Sequence, residues 1–246
     1  MKILVCISKT PDTTTKIAFT DGGTQLDTNN VQYIMNPYDE WYALVRALEL
    51  KEASGGSVTI INVGPSANDQ VIRKGLAIGA DEAVRIDANP KSALFVAKQI
   101  AAYAKDEAYD LVLLGKESID YNGSEVGAMV AELLDLPFIS YASKLEMNGN
   151  TGSVSRDIEG GTELVEVDTP FVLSASKGLA EQRIPNMRGI MMAKRKPLKV
   201  VDAVPAEDLS VTVSFDLPPA KSAVKLVDPE DMTELVRLLH EEAKVI

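Results

Sequence analysis

The sequence is poorest in the residues that metal sites and covalent catalysis draw on. Among its 246 residues there is one cysteine, Cys6, and one histidine, His240. A lone thiol excludes a disulfide framework and a thiol-based metal site, and it suits a reducing compartment. A lone histidine leaves no partner for an imidazole-based metal site or a Ser-His-Asp triad within the chain. No catalytic or metal-ligating set is therefore assigned. No apolar run approaches the roughly 20 residues of a membrane span, so no membrane insertion is expected. The opening residues, MKILVCIS, enter a strand pattern directly, with neither a signal-peptide h-region nor an Arg-rich transit peptide. A formal net charge of −11 argues against nucleic acid as the main partner. Neither GxGxxG nor GxxxxGK[ST] occurs, which removes the dinucleotide fingerprint and the P-loop. These absences lead to the expectation of a soluble cytoplasmic protein. With 46% hydrophobic residues, the chain can form one large α/β domain, or such a domain with an added arm.

What is present is organised around residues 110–136, DLVLLGKESIDYNGSEVGAMVAELLDL. Leu111 to Leu114 form a short apolar run, read as a strand buried on both faces. A polar loop follows. Val126, Met129, Val130, Leu133 and Leu134 then recur at helical spacing, and Pro137 ends the helix. A strand, a Gly-bearing loop and a helix start together make a place for a phosphate, because free N–H groups and the helix dipole favour an anion there. Gly123 and Gly127 are read as allowing close backbone approach, and Ser124 as the N-cap. Many such units bind nothing, so this stretch alone leaves a nucleotide at even odds.

Upstream, strands alternate with helices. Strand patterns over residues 2–7, 57–63 and 82–86 are separated by helices carrying Trp41, Leu44, Val45 and Leu48, and then Val71, Ile72 and Leu76. A third helix is expected to start at Pro90. A small hairpin, residues 16–19 against 25–27, is inserted after the first strand. This alternation implies a doubly wound, mostly parallel α/β sheet of Rossmann-like type. If the first and fourth strands are neighbours, the strand order reverses between them. The ligand crevice then collects the loops at residues 6–9, 35–39, 63–65 and 115–127.

After Pro137, short strands over residues 142–147, 153–158, 162–167 and 171–175 are expected to extend the sheet antiparallel. Residues 176–226 show little regular pattern, many charges and several prolines. They read as an arm for another chain, closed by a helix that residues 228–231 cap. The division is thus residues 1–175 for the nucleotide-binding domain and 176–246 for the partner-binding arm. Arg183, Arg188, Lys194, Arg195, Lys196 and Lys199 concentrate positive charge on this arm. Such a run is usually a solvated face, and its sharper meaning is docking to an acidic surface.

Residues 154–177, with Arg156, Asp157, Glu159-Gly160-Gly161, Glu163, Val165 and Pro170-Phe171-Val172-Leu173, resemble the signature of the beta (small) subunit of electron-transfer flavoproteins. The resemblance runs the length of the chain through Met35-Asn36-Pro37, Gly64-Pro65, residues 76–81, Gly115-Lys116 with Ile119-Asp120, and residues 190–196. It implies a heterodimer with an alpha subunit that holds the redox-active FAD. The dimer would take electrons from acyl-CoA and related dehydrogenases of fatty acid beta-oxidation and pass them to a membrane quinone oxidoreductase. The beta subunit would be a scaffold and not itself an enzyme, with AMP buried in it. The family's AMP contacts carry over to Cys6, Asn36, Pro37, Tyr38, Asp39 and Val63. They continue over the loop and helix start at Asp120, Tyr121, Asn122, Gly123, Ser124, Glu125, Val126, Gly127, Ala128, Met129, Val130 and Ala131. A dehydrogenase-recognition loop maps onto residues 178–183, with Leu179 as an exposed anchor worth about 1.5–3 kcal/mol and Glu181 and Arg183 beside it. The bland reading of Leu179 is an ordinary covered residue.

Two departures bear on the nucleotide. Where AMP-type members often carry Ile-Asp-Tyr, this chain has Pro11-Asp12-Thr13, which is also seen in electron-bifurcating relatives that hold a second FAD and oxidise NADH. Those relatives usually carry Arg-Ala-Phe-Gly-Gly-Ala-Asp-Thr after the third strand. Here residues 86–92 read IDANPKS. AMP is therefore favoured over a second FAD. An adenine-nucleotide sensor or hydrolase on the same sheet is the remaining alternative.

Overall fold

The computed structural model describes residues 1–221 and 223–246. Contacts divide them into two compact units, Met1–Ser214 and Phe215–Ile246. In chain order the first unit runs β1 (Lys2–Cys6), β2 (Thr10–Pro11), β3 (Phe19–Thr20), β4 (Gln25–Leu26), β5 (Tyr33–Ile34), α1 (Asp39–Ser54), β6 (Ser57–Val63), α2 (Asp69–Ile78) and β7 (Glu82–Asp87). It continues with α3 (Ala93–Ala104), β8 (Leu111–Gly115), α4 (Val126–Leu134), β9 (Phe138–Asn148), β10 (Thr151–Ile158), β11 (Gly161–Asp168), β12 (Phe171–Ala175), α5 (Met187–Ala193) and β13 (Leu198–Asp202).

Among the described residues the main sheet has nine strands in the order β11-β10-β9-β12-β8-β1-β6-β7-β13. The order reverses at β1, which pairs in parallel with β6 on one side and with β8 on the other. Side chains alternate across a strand, so consecutive apolar residues in β1 must be covered from both sides. Ile3 and Val5 join a core with Leu44, Leu48, Ile72 and Leu76 of α1 and α2. Leu4 and Cys6 join a second core with Ala97, Ile100 and Val130 of α3 and α4. The helices therefore lie two to a face because the strand carries two apolar faces. Each fully buried Leu or Ile contributes about 1.5–3 kcal/mol relative to its exposed state.

Several boundaries differ from the sequence reading. Pro90 does not start a helix. The α3 N-cap is Ser92, whose hydroxyl accepts from the Phe95 N–H at 3.2 Å. The inserted hairpin is only Phe19–Thr20 against Gln25–Leu26, and Thr10–Pro11 pairs with Tyr33–Ile34 to close the base of the insertion. β9 starts at Phe138, directly after Pro137. β9, β10 and β11 form the expected antiparallel meander, but β12 runs parallel to both β8 and β9. All five residues of β12 are buried. A strand with both faces apolar belongs in the covered centre of the sheet, whereas a meander edge would leave one face wet.

The tract after β12 carries more regular structure than expected. β13 adds to the sheet edge in register with β7. α5 packs on α2 closely enough that a Cβ on Gly189 would lie 2.5 Å from the Ala77 carbonyl oxygen. Arg73 binds this tract by donating to the carbonyls of Ala193 and Lys196 at 2.8 and 2.7 Å. In the second unit, α6 (Met232–Arg237) is capped as expected, with Asp231 accepting from the Glu234 N–H at 2.9 Å. No helix among the described residues is long and apolar enough to cross a membrane.

Candidate functional site

The reversal of strand order places a crevice between the C-terminal ends of β1 and β8. A cavity of about 650 Å³ opens there. Of the expected ligand residues, Cys6, Val63, Asp120, Tyr121, Gly123, Ser124, Glu125, Val126 and Gly127 line it. Asn36, Pro37, Tyr38, Asp39, Asn122, Ala128, Met129, Val130 and Ala131 are not among its lining residues.

Several of those non-lining residues build the wall. Asn36 is fully buried. Its Oδ1 accepts from the Tyr38 N–H at 3.0 Å, and its Nδ2 donates to the Glu117 carbonyl at 3.2 Å. One side chain thus ties the entry to α1 to the β8–α4 loop. Val130 and Ala131 face the second core, as the helical periodicity requires. Asn122 sits at positive φ in the turn that the Ser118 N–H closes on the Gly123 carbonyl at 2.9 Å, which leaves Tyr121 69% exposed at its tip.

The helix start differs from expectation in a way that matters for anions. The α4 N-cap is Glu125, not Ser124, and no side chain caps it. Its first-turn residues line the crevice without a side-chain acceptor already in place. At Gly123 an added Cβ would meet only ordinary contact, with Glu125 Oε1 at 3.7 Å. Gly127 serves packing instead. A Cβ there would fall 2.9 Å from the Phe138 ring and 3.0 Å from Leu114.

Two carboxyls stand at the start of α1. Burial pushes Asp39 up to about 6, with Glu117 adding to the shift and Lys116 and Asn36 opposing it. Burial likewise pushes Glu40 up to about 7, against hydrogen bonds from Ser8 and Asn36 that favour the ionised form. Burial, with Glu40 nearby, also pushes the Cys6 thiol up, which keeps it protonated and a poor nucleophile. A raised carboxyl pKa in a crevice is a common mark of acid–base chemistry. Here both Glu40 oxygens are already taken by Ser8, so the group is occupied as a structural acceptor.

A polar brace behind the crevice had no counterpart in the sequence reading. Asn62 donates to the Ile7 carbonyl at 2.8 Å and accepts from Asn68 Nδ2 at 2.9 Å. Arg85, buried within β7, donates to the Gly64 carbonyl at 3.0 Å and pairs with Asp69 at 2.8 Å. The available signal was a polar residue inside an otherwise apolar strand, at Asn62 and Arg85.

The expected docking tract is rearranged. Leu179 is not an exposed anchor. It is 5% exposed and belongs to the core that also holds Trp41 and Ala142. Glu181 is exposed. Arg183 pairs bidentately with Glu52, at 2.6 and 3.0 Å, and its carbonyl accepts from Trp41 Nε1 at 3.2 Å. The exposed apolar side chains come just downstream, with Ile184 at 84% and Met187 at 74%.

Comparison with known proteins agrees with this architecture. Residues 23–206 match a family model described as the electron transfer flavoprotein domain. The chain is similar to the electron transfer flavoprotein subunit beta of Bacillus subtilis (strain 168), with 38% identity over all of both chains. It is also similar to the mitochondrial subunit beta of Arabidopsis thaliana, with 35% identity over all of both chains. The Homo sapiens subunit beta is 33% identical over 97% of this chain and 92% of its own length.

Proposed function

Because the chain belongs to the electron transfer flavoprotein beta-subunit family, we propose that it is the scaffold subunit of a heterodimeric electron carrier, bound to an alpha subunit and holding an adenine nucleotide in the β1/β8 crevice. The observation that carries the nucleotide is the convergence of Cys6, Val63, Asp120, Tyr121 and residues 123–127 on one cavity at the point where the strand order reverses. AMP fits the residues present. The uncapped first turn of α4 offers N–H groups to a phosphate, and Cys6 and Val63 offer an apolar floor. AMP supplies no redox chemistry. It occupies the β1/β8 part of the crevice and fixes the β8–α4 loop.

The FAD of the alpha subunit supplies the electron transfer when bound. This chain's part is to hold the partner, keep water from the interface and present a surface to dehydrogenases. It performs no turnover of its own. Acyl-CoA and related dehydrogenases are the proposed donors, a quinone oxidoreductase is the proposed acceptor, and the cytoplasm is the proposed location. Docking is assigned to the tract of residues 176–246, the partner-binding part of the chain. Within it the exposed Ile184 and Met187 stand beside Glu181 and Arg183. An apolar group flanked by charge suits an interface whose core is apolar and whose rim is polar.

A second reading is kept for a specific reason. The crevice extends from β1 and β8 as far as the β7–α3 loop, which leaves room for a ligand longer than AMP. In that reading a second FAD replaces AMP and NADH becomes a substrate. One measurement separates the two readings. The co-purified heterodimer is denatured, and the released nucleotides are identified and counted. One FAD with one AMP supports the carrier reading, whereas two FADs without AMP replace it with the bifurcating one.

A further inference from the structure

The loops foreseen from the sequence make only part of the crevice wall. Ser210 and Thr212 also line the cavity, next to residues 89–93 of the β7–α3 loop. They lie in a tract without regular secondary structure, yet that tract is fastened at two defined points. Gln99, buried in α3, holds Val204 as a paired strand residue would. Its Nε2 donates to the Val204 carbonyl and its Oε1 accepts from the Val204 N–H, both at 2.8 Å. A buried amide with both ends satisfied is a rigid fixture. Four residues on, Asp208 accepts from the hydroxyl of Ser92, the N-cap of α3, at 2.6 Å. Beyond this second anchor residues 209–213 are all exposed, and of them Ser210 and Thr212 line the cavity.

We propose that Ser210 and Thr212 are ligand-contacting residues of the crevice, positioned by the Gln99 clamp, and that their hydroxyls hydrogen-bond the ribose and base of the bound adenine nucleotide. The inference rests on the adenine-nucleotide reading above and adds a wall to that site. The chemistry of the wall selects the part of the ligand. Beside the two hydroxyls it offers the Asn89 amide and the apolar Val96 and Ile100. Lys91 also lines the cavity and, like Ser210 and Thr212, is exposed. Neutral donors and acceptors beside aliphatic carbon suit a sugar and a base. The phosphate is better served by the first turn of α4.

The test uses the full heterodimer and AMP as the probe, with the dissociation constant measured by equilibrium dialysis after removal of endogenous nucleotide. Losing two neutral hydrogen bonds weakens binding about tenfold, so the Ser210→Ala/Thr212→Ala double variant is expected to bind AMP about tenfold more weakly at an unchanged Tm. Gln99→Ala is expected to weaken binding similarly in the wild-type background and to add nothing in the double variant, because a positioning residue acts only through the groups it positions. Wild-type binding of AMP with equal affinity in the double variant overturns this proposal and leaves the nucleotide reading standing. Absence of AMP binding by the wild-type heterodimer overturns both. Additive loss from Gln99→Ala overturns the positioning role.

Discussion

Ser8 gives both of its donors to Glu40, the backbone N–H at 2.9 Å to Oε2 and the hydroxyl at 2.6 Å to Oε1. The carboxyl therefore locks the end of β1 to the start of α1 at the mouth of the crevice. Burial nevertheless dominates and raises Glu40 from an ordinary 4.5 to about 7. The folded chain thus keeps a proton that the unfolded chain releases as pH rises above about 4.5. Stability contributed by this group is greatest below that pH and falls as pH rises through about 7, by about 3 kcal/mol at most. Glu40→Gln keeps an oxygen for Ser8 but cannot ionise. The variant is expected to show a flatter dependence of Tm on pH between 5 and 8 (a range set by the same linkage), measured by scanning calorimetry. An unchanged slope would assign the pH dependence to other groups.

Leu179 and Met187 separate the core from the exposed surface. Leu179 is 5% exposed and Met187 is 74% exposed. Leu179→Ala is expected to cost about 2–5 kcal/mol through the cavity it leaves. Met187→Ala is expected to change stability by less than about 0.5 kcal/mol. If the apolar group around Ile184 and Met187 receives dehydrogenases, Met187→Ser slows electron acceptance in a stopped-flow assay without lowering Tm. A full rate with Met187→Ser would move docking elsewhere.

These two residues also mark how far the sequence could be read. Strongly patterned segments were legible, because β1 and β8 carry continuous apolar runs, β6 is rich in Val and Ile, and α1 and α2 carry regular stripes. The reversal between β1 and β8 was read on the condition that the two strands are neighbours, which the sheet order meets, and the crevice came with it. Single-residue exposure was not legible. Leu179 and Met187 are both apolar residues in an irregular tract, and only the fold decides that one meets Trp41 and the other meets solvent. Ser210 and Thr212 were out of reach for a similar reason. They come to the crevice through the Gln99 clamp on Val204, a contact across 105 residues that leaves no periodic trace. The buried Asn62 and Arg85 were hidden as well, because a polar residue in a strand reads as an outward-facing one until both faces are known to be covered.

Gly115 is required by a close approach at the end of β8. A Cβ there would lie 3.0 Å from Glu40 Cγ, 3.1 Å from Asp39 Cβ and 3.2 Å from the Glu40 backbone nitrogen. The first turn of α1 would have to give by a few tenths of an ångström. Gly115→Ala is expected to cost about 1–3 kcal/mol and to reduce the AMP released per FAD from the heterodimer. Full nucleotide occupancy with an unchanged Tm would mean that α1 shifts freely, contrary to the double hold of Ser8 on Glu40.

Asn36 offers the sharpest separation of wall from ligand contact, since it holds two loops together without lining the cavity. Asn36→Ala removes the donor to the Glu117 carbonyl and the acceptor for the Tyr38 N–H. Leaving buried partners unsatisfied costs about 1–3 kcal/mol per group. Asn36→Asp restores the acceptor for Tyr38 but not the donor to Glu117, and it sets a second carboxyl close to Asp39, whose pKa burial already raises. Like charges oppose ionisation, and the lost hydrogen bond from Asn36 removes a group that favours it, so both variants are expected to lose further stability as pH rises through about 6, the aspartate variant by more. Chemical denaturation of both variants at pH 5 and pH 8 reads the difference. Losses equal at the two pH values for both variants would show that Asp39 does not sense residue 36, and would leave burial and Glu117 as the origin of its raised pKa.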